Sequence, residues 1–262
     1  MQLSENARKQ GALWGAEAAD WLEIQERTAP PLWQAVLDFA GVGPGTRLLD
    51  AGCGAGGASV MAQERGATVT ACDASEGLLA IARERLPDVE LKLADLESLP
   101  FADDAFDVAL AINSLQFTND PARAAHELSR VAPRVGVVVW SVEHSEQRCL
   151  FDAIRKLFDK PPRSRGAFAL SGPGEVEALF PEHAAESHTI PCPFLYPDLK
   201  IALRGQMATG PAQRAAEIFG KEQVEGVLRD ALRPFLTASS EVRLQNEFRC
   251  VMLLRPGTSR PR

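Results

Sequence analysis

Short apolar runs alternate with helical segments between Thr46 and Val142, and this alternation constrains the fold more than any other feature of the sequence. Several of the runs are continuously apolar, which is typical of strands that are buried on both faces. Strands and helices in this rhythm form an open, mostly parallel sheet with helices on both faces and right-handed crossovers. The sequence therefore predicts an α/β fold. The predicted strands lie at residues 47–49, 67–72, 89–93, 106–112 and 135–140, and the helices at 58–64, 75–86 and 121–131.

Two regions lie outside this repeat. Residues 1–40 have a helical pattern in which Trp14, Trp21 and Trp33 stand among charges, and Pro30-Pro31 starts a new helix. After the fifth strand we expect a helix over 146–158, a turn over 161–166, a short helix from Ser171 to Phe180 and two final strands over 188–196 and 242–254. About 45 helix-prone residues separate these strands, far more than a hairpin needs, so they are expected to fold over the sheet as a cap.

The composition narrows the class of function. The chain has 262 residues, a formal net charge of −7 and no basic run, which argues against a nucleic-acid partner because phosphate contacts need clustered Lys and Arg. The five cysteines form no CxxC pair, so neither a metal site nor a disulfide is predicted. No apolar stretch has the length of a membrane span, and the first ten residues lack a signal peptide's apolar core. We therefore expect a soluble, cytoplasmic protein that acts on a small molecule, in an oligomeric state that these patterns leave open.

A glycine-rich loop follows the first predicted strand and precedes a helix. Glycine there lets the backbone turn tightly and approach a ligand at the helix N-terminus. Gly52, Gly54 and Gly57 also satisfy the dinucleotide pattern G-x-G-x-x-G, so the glycines alone do not choose a cofactor. Asp50 at the mouth of the loop would repel a pyrophosphate, whereas it suits a ligand with ammonium and sulfonium groups. S-adenosylmethionine (SAM) is such a ligand.

Two further carboxylates follow neighbouring strands. Asp73 ends the second strand about twenty residues after the loop, where an acidic side chain accepts hydrogen bonds from ribose hydroxyls. Asp95 follows the third strand, where a side chain meets an adenine amino group. Each aspartate alone is more often a helix cap. With Asp50 they form a set of three at the edge where open α/β sheets bind ligands, which favours a binding site.

At this point the sequence resembles the class I SAM-dependent methyltransferases. Residues 48–56 are similar to the family's first motif, 71–75 to its ribose-binding acidic motif, and 94–101 with 106–108 to its adenine motif. Residues 113–117 and 126–131 resemble the segments that follow, and the pattern is that of the small-molecule branch, similar to quinone-biosynthesis and natural-product enzymes. One departure is visible, since Pro133-Arg134-Val135-Gly136 stands where the family usually has Pro-Gly-Gly, on the far side of the sheet.

The resemblance implies a Rossmann-like, seven-stranded sheet whose last strand is antiparallel, with SAM as cofactor. We expect one methyltransferase domain over 1–262, with a helical lid (1–40), a SAM-binding core (41–142), cap insertions over the C-terminal edge of the sheet (143–170 and 197–241) and the last helix and strands (171–196 and 242–256). The expected cofactor-binding residues are Trp14, Trp21, Asp50, Gly52, Gly54, Asp73, Ala74, Asp95, Leu96, Asn113 and Ser114.

The methyl acceptor is expected to be small and hydrophobic. Gln116, Phe117 and Trp140, at the ends of the fourth and fifth strands, are the predicted acceptor pocket. Methyl transfer from a sulfonium is an in-line displacement that depends mainly on alignment, so a general base is needed only when the acceptor must lose a proton. His144, just after the fifth strand, is the candidate base, and the alternative interpretation is a solvated loop histidine.

Other interpretations remain open from the sequence alone. Trp14 and Trp21 share a helical face, which suits either cation–π contact with a sulfonium or packing of that helix against the sheet. The degenerate glycine pattern leaves an NAD(P)-dependent oxidoreductase as one alternative. A non-catalytic SAM-binding protein is the other, because the family needs no invariant base.

Overall fold

A computed structural model describes residues 2–159 and 166–258. Within those residues, seven strands form one sheet in the order β3-β2-β1-β4-β5-β9-β6. Two further strands, β7 and β8, pair as a separate antiparallel ribbon. The strands are β1 (Arg47–Ala51), β2 (Thr68–Asp73), β3 (Glu90–Leu93), β4 (Val108–Ile112), β5 (Arg134–Trp140), β6 (Ala184–Pro191), β7 (Phe194–Tyr196), β8 (Val242–Leu244) and β9 (Glu247–Leu254).

The sheet is parallel from β3 through β5, and β9 runs antiparallel to both of its neighbours. This confirms the predicted fold, a mostly parallel seven-stranded sheet with an antiparallel last strand. The register pairs Asp50 on β1 with Ala71 on β2 and with Leu110 on β4. Neighbouring strands therefore end at one common edge, and the residues that follow them meet there.

The helices cover both faces of the sheet. Leu48 and Leu49 point to opposite faces, because successive strand residues alternate, and they belong to two different hydrophobic clusters. The larger cluster includes buried residues of the helices that follow β7, and the smaller cluster includes Leu128. The helices are α1 (Glu5–Gly15), α2 (Ala18–Asp20), α3 (Pro30–Phe39), α4 (Gly57–Glu64), α5 (Glu76–Arg85), α6 (Pro121–Val131), α7 (Gln147–Arg155), α8 (Leu199–Met207), α9 (Gly210–Phe219) and α10 (Lys221–Leu232). No helix in the described ranges is both long and apolar enough to cross a membrane.

The two final strands differ from their predicted extent, because each is broken into two. Pro193 has no N–H to donate, and beside it Cys192 donates its backbone N–H to Asn246 O over 2.8 Å. Asn246 lies in the matching break between β8 and β9. The predicted helix from Ser171 to Phe180 is reduced to a 3₁₀ turn, Glu177–Leu179. The predicted turn over 161–166 lies outside the described residues except for Gly166.

The N-terminal segment closes over the common edge of the strands. α1 packs against the start of α5, where a Cβ on Gly11 would lie 2.0 Å from Ala74 O. The Ser4 backbone N–H donates to Asp95 Oδ2 over 3.2 Å. Asn6 Nδ2 donates to Phe117 O over 3.1 Å. A π-helical turn (Trp21–Gln25) and a 3₁₀ turn (Glu26–Thr28) continue the segment into α3.

Substitution of Gly11 by alanine tests this docking. The added methyl group overlaps the Ala74 carbonyl, so we expect Gly11→Ala to release α1 and to lower the free energy of unfolding by roughly 1–3 kcal/mol. Urea unfolding gives the free energy, and hydrogen exchange over residues 5–15 reports release of the helix. Gly226→Ala in α10 is the matched control, because no atom lies within 4 Å of its added Cβ. The control should be neutral or stabilising by up to about 1 kcal/mol, and equal losses in both variants would contradict the packing argument.

Candidate active site

A cavity of about 220 Å³ lies at the carboxyl ends of β1, β2 and β4, beneath the N-terminal segment. The sheet register explains its position, since the glycine loop after β1 and the segments after β2 and β4 converge there. Thirteen of the predicted site residues line it: Trp14, Trp21, Asp50, Gly52, Gly54, Asp73, Ala74, Asp95, Leu96, Asn113, Ser114, Phe117 and Trp140. The structure thus brings the three aspartates singled out by sequence into one shared cavity.

Two predicted residues are not brought to the cavity. Gln116 is buried behind its wall, where Nε2 donates to Asn113 Oδ1 over 3.3 Å. His144 lies in the loop after β5 with 63% of its side chain exposed. That loop follows β9 instead of crossing the cavity, because Ser141 N donates to Glu247 O and Ser145 Oγ donates to the same carbonyl oxygen. None of the four histidines, all of them within the described ranges, lines the cavity.

The glycine loop is packed too tightly for side chains at two of its positions. Gly52 has a φ of +86°, and a Cβ there would lie 2.3 Å from the Ser114 Cβ. A Cβ on Gly57 would lie 2.1 Å from Cη2 of Trp33. Ser114 is itself fixed, because its hydroxyl donates to Ala51 O over 2.7 Å. The loop therefore needs glycine for close approach as well as for its turn.

Asp50 is buried at the end of β1 beside uncharged partners. Its Oδ2 accepts a hydrogen bond from Ser59 Oγ over 2.7 Å. Burial raises the pKa of Asp50 to about 6; the Ser59 hydrogen bond opposes the shift, and the nearby carboxylates of Asp73 and Glu26 add to it. The carboxyl therefore retains its proton at a higher pH than an exposed aspartate does.

Asp73 joins the glycine loop to α5. Its Oδ2 accepts from the Gly54 backbone N–H over 2.9 Å, and its Oδ1 accepts from the Ser75 backbone N–H over 2.8 Å. Burial raises the pKa of Asp73, and these backbone donors oppose the shift. Like Asp50, it has no cationic partner among the described residues.

Glu26 is a site residue that sequence reasoning missed. It is buried beside the glycine loop, and Arg85 Nη1 donates to its Oε2 over 2.6 Å. Burial raises the pKa of Glu26; Arg85 and the backbone N–H groups of Gly57 and Ala55 oppose the shift. The carboxylate thus lies at the N-terminus of α4. No local signal marks it, because it stands in an ordinary polar helical stretch 59 residues from Arg85.

The segments after β3 and β4 complete the polar end of the cavity. Asp95 Oδ1 accepts from the Glu97 backbone N–H over 3.0 Å, while Oδ2 faces the N-terminal segment. Asn113 has a φ of +52°, a left-handed conformation that costs energy for any residue but glycine, although asparagine tolerates it better than most. Its backbone N–H donates to Val138 O on β5, which holds the turn. Strained backbone of this kind is concentrated at functional sites.

Aromatic rings form the remaining walls. Trp14 packs edge-on against both Trp21 and Phe117, with ring centroids 5.1 Å apart in each pair. On the β5 side, Trp140 is joined by three cavity-lining rings that the sequence analysis did not identify: Phe151, Phe194 and Phe248. They come from α7, β7 and β9, which are far apart in the chain, so no sequence spacing connects them.

The charge lining the cavity is entirely negative. Four acidic side chains reach it, those of Glu26, Asp50, Asp73 and Asp95, and within the described residues no Lys, Arg or His does. No group of three or more His, Cys, Asp and Glu side chains in the described part of the chain is arranged to hold a metal ion. The electrostatics therefore favour a cationic organic ligand.

Asp50→Asn tests how much stability the burial of the Asp50 carboxyl costs the ligand-free protein. Because the folded-state pKa of Asp50 is raised from 3.8 to about 6, its contribution to stability is fully present below pH 3.8 and is lost as the pH rises through 6. Asparagine does not titrate in this range, so the variant does not lose stability in this way. We expect the stability of the variant relative to the parent to rise by roughly 1–2 kcal/mol between pH 5 and pH 7.5, measured by urea unfolding.

Asp107→Asn is the control of opposite sign. The Arg47 guanidinium lowers the pKa of Asp107, so the ionised carboxylate stabilises the folded protein above its ordinary pKa. This variant should lose stability at neutral pH. If the difference in the free energy of unfolding between Asp50→Asn and the parent stays constant across the pH range, the buried carboxyl carries no electrostatic cost.

Part of the sequence that builds this site matches a known family model. Residues 49–140 match the family model described as a methyltransferase domain. An uncharacterized protein of Mycobacterium tuberculosis is 35% identical over 139 residues, which cover 50% of this chain and 50% of that protein. The malonyl-[acyl-carrier protein] O-methyltransferase of Serratia marcescens is 39% identical over 108 residues, covering 41% and 42% respectively. The matched stretches thus span about half the length of these curated relatives, or somewhat less.

Solved structures show the same fold over more of the chain. The YcgJ protein of Bacillus subtilis has a TM-score of 0.57 at 18% identity, covering 86% of this chain and 98% of that chain. The [4+2]-cyclase SpnF has a TM-score of 0.55 at 22% identity, covering 86% and 80%. A Haemonchus contortus phosphoethanolamine N-methyltransferase, in complex with S-adenosylhomocysteine, has a TM-score of 0.54 at 17% identity, covering 86% and 52%. Residues 49–140 therefore match the methyltransferase domain family, and the described chain shares the fold of these solved structures.

Proposed function

We propose that this protein is a SAM-dependent methyltransferase that transfers a methyl group to O, N or C of a small, hydrophobic molecule. The observation that carries the proposal is the cavity beside the glycine loop in which Asp50 is buried and Asp73 partly buried, both with only uncharged hydrogen-bond donors. Buried carboxylates without a cation are unfavourable, and a cationic ligand removes that cost. SAM carries an ammonium and a sulfonium against a single carboxylate.

The residues around the cavity fit SAM part by part. We assign Asp73 to the ribose hydroxyls and Asp95 to the adenine amino group, as the family resemblance suggests. Trp14 and Trp21 line the same cavity, where an aromatic ring attracts a sulfonium through cation–π contact. The remaining cofactor contacts are assigned to Gly52, Gly54, Ala74, Leu96, Asn113 and Ser114, which line the same cavity.

The dinucleotide alternative is opposed by Glu26. A pyrophosphate would be bound by the free N–H groups at the start of α4. That position already faces the Glu26 carboxylate, and the ring of Trp33 packs directly on Gly57. A pyrophosphate would have to displace the Glu26 carboxylate, which is paired with Arg85, from the N–H groups of Gly57 and Ala55, so an NAD(P)-dependent oxidoreductase is the weaker hypothesis.

The mechanism that we propose depends on alignment and on exclusion of water. Bound SAM supplies a methyl group whose sulfonium leaving group is already activated. Asp73 fixes the glycine loop through Gly54, and the aromatic walls keep water from the reacting atoms. With His144 turned to solvent, the described part of the cavity offers no histidine as a base, so proton removal is not assigned to one.

Calorimetry with S-adenosylhomocysteine tests the cofactor assignment. The parent protein should bind it, and Asp73→Ala should weaken binding at least tenfold, because it removes both the ribose acceptor and the tie to Gly54. Asp88→Ala, at an exposed position after α5, is the matched control and should bind like the parent. Failure of the parent to bind either SAM or its demethylated product would end the proposal.

Transfer of a labelled methyl group to a metabolite extract tests for catalysis. We expect label from SAM to appear in an apolar fraction with the parent protein and not with Asp73→Ala. This experiment separates an enzyme from a non-catalytic SAM-binding protein, a distinction that the fold does not make, since SpnF is named as a cyclase. Cofactor binding without transfer to any fraction of the extract would favour the non-catalytic alternative.

A further inference from the structure

One end of the cavity is built from aromatic rings. Trp140, Phe151, Phe194 and Phe248 line it, and we refer to these four as the aromatic chamber. The Trp140 ring centroid is 4.3 Å from that of Phe248 and 5.7 Å from that of Phe194, with Phe151 at 6.3 Å. Such rings favour a flat apolar ligand, which can stack on one face or meet another edge-on.

A chain of buried, uncharged polar side chains reaches the same cavity through Gln25 and Gln147. Tyr196 OH donates to Gln25 Oε1 over 2.7 Å and accepts from Gln206 Nε2 over 3.0 Å. Gln206 and Gln147 pair through their amides, with Gln147 Nε2 donating to Gln206 Oε1 over 2.5 Å and Gln206 Nε2 donating back over 3.3 Å. Burial raises the pKa of Tyr196 far above its ordinary range, so its phenol stays neutral.

The direction of these hydrogen bonds determines what reaches the ligand. Because the Gln25 oxygen accepts from Tyr196, its amide NH₂ is the part without a protein partner among the described residues. Gln147 uses one of its two amide hydrogens on Gln206 and keeps the other. Both side chains line the cavity, and both residues are more than nine-tenths buried, at 7% and 1% exposure. Unpaired donors at such burial indicate a ligand that brings hydrogen-bond acceptors.

The charge around the cavity limits that ligand further. An anionic group would meet the acidic side chains of Glu26, Asp50, Asp73 and Asp95, and among the described residues only Glu26 has a basic partner, Arg85. Amide donors bind a neutral oxygen well, but they do not compensate for the desolvation of a carboxylate or phosphate.

We propose that the aromatic chamber binds the methyl acceptor, and that this acceptor is a neutral, flat, apolar molecule with a carbonyl or hydroxyl oxygen that Gln25 and Gln147 recognise. The inference rests on the proposed function, since it names the class of molecule that receives the methyl group. Gln25 and Gln147 then determine specificity, while Tyr196 and Gln206 position their amides.

Three naphthalene derivatives of similar size separate the contributions. 2-Acetylnaphthalene has a neutral carbonyl oxygen, 2-ethylnaphthalene has none, and 2-naphthoate is an anion. Calorimetry is performed with and without saturating S-adenosylhomocysteine. We expect the ketone to bind about five- to tenfold more tightly than the hydrocarbon, as one net hydrogen bond provides. The carboxylate should bind at least tenfold more weakly than the ketone.

Substitution of the two glutamines tests whether they cause the preference for the ketone over the hydrocarbon. Gln147→Met and Gln25→Met keep side-chain length and lack the amide donor, so the ketone-to-hydrocarbon affinity ratio should fall toward one while hydrocarbon affinity is retained. This ratio does not respond to a general loss of stability, which thermal unfolding of each variant monitors separately. Gln223→Met, at an exposed position of α10, is the matched control and should keep the parent ratio.

The outcomes distinguish this inference from the proposed function. Binding of S-adenosylhomocysteine together with tight binding of 2-naphthoate, an unchanged ratio in both glutamine variants, or no binding of any naphthalene would overturn the inference alone. Absence of S-adenosylhomocysteine binding would instead contradict the proposed function, and the titrations without cofactor still report which molecule the chamber prefers.

Discussion

The burial of carboxylates around the glycine loop is the constraint on which the rest of the site depends. Asp50 and Asp73 end adjacent parallel strands, so the register of the sheet places both at one edge. The fold offsets part of their desolvation with neutral donors, such as Ser59 and the Gly54 backbone N–H, and leaves the remainder unmet. A group that costs stability in the ligand-free protein and lies in a cavity is a strong indicator of binding. The glycine loop is also enclosed by its neighbours, because Ser114 packs against Gly52 and Trp33 against Gly57, where a side chain has no space.

Sequence reasoning identified the part of the site that is local in the chain. The glycine loop, Asp50, Asp73 and Asp95 each follow a strand whose apolar run is visible in the sequence, and parallel topology brings strand ends together. Glu26 could not be found in this way, because its partner Arg85 is 59 residues distant. Gln25 is 171 residues from Tyr196, and the stretch around Gln25 has the composition of an ordinary helix surface. Tertiary packing alone buries these side chains.

The strand ends also show where local patterning is insufficient. The sequence predicts a strand over residues 188–196, whereas in the structure β6 begins at Ala184 and ends at Pro191. The ladder breaks at Cys192 and Pro193, the second of which has no N–H to donate, and opposite them at Asn246. Asn246 also holds α7, because its Oδ1 accepts from the Gln147 backbone N–H over 3.0 Å at the first residue of that helix. The loop after β5 is held along β9 by the hydrogen bond from Ser145 Oγ to Glu247 O, and His144 in that loop does not reach the cavity.

The two ends of the cavity attract ligands by different interactions, and under the proposed function this difference lets one cavity hold two unlike molecules. At the glycine loop, net negative charge favours the cationic donor through a long-range attraction that needs little geometric precision. In the aromatic chamber, neutral amides and rings act only at contact distance, so shape and hydrogen-bond direction dominate. An anionic acceptor would fit the chamber by shape and still be repelled by the carboxylates of the loop. Charge at one end therefore restricts what the other end can accept, although no side chain is shared between them.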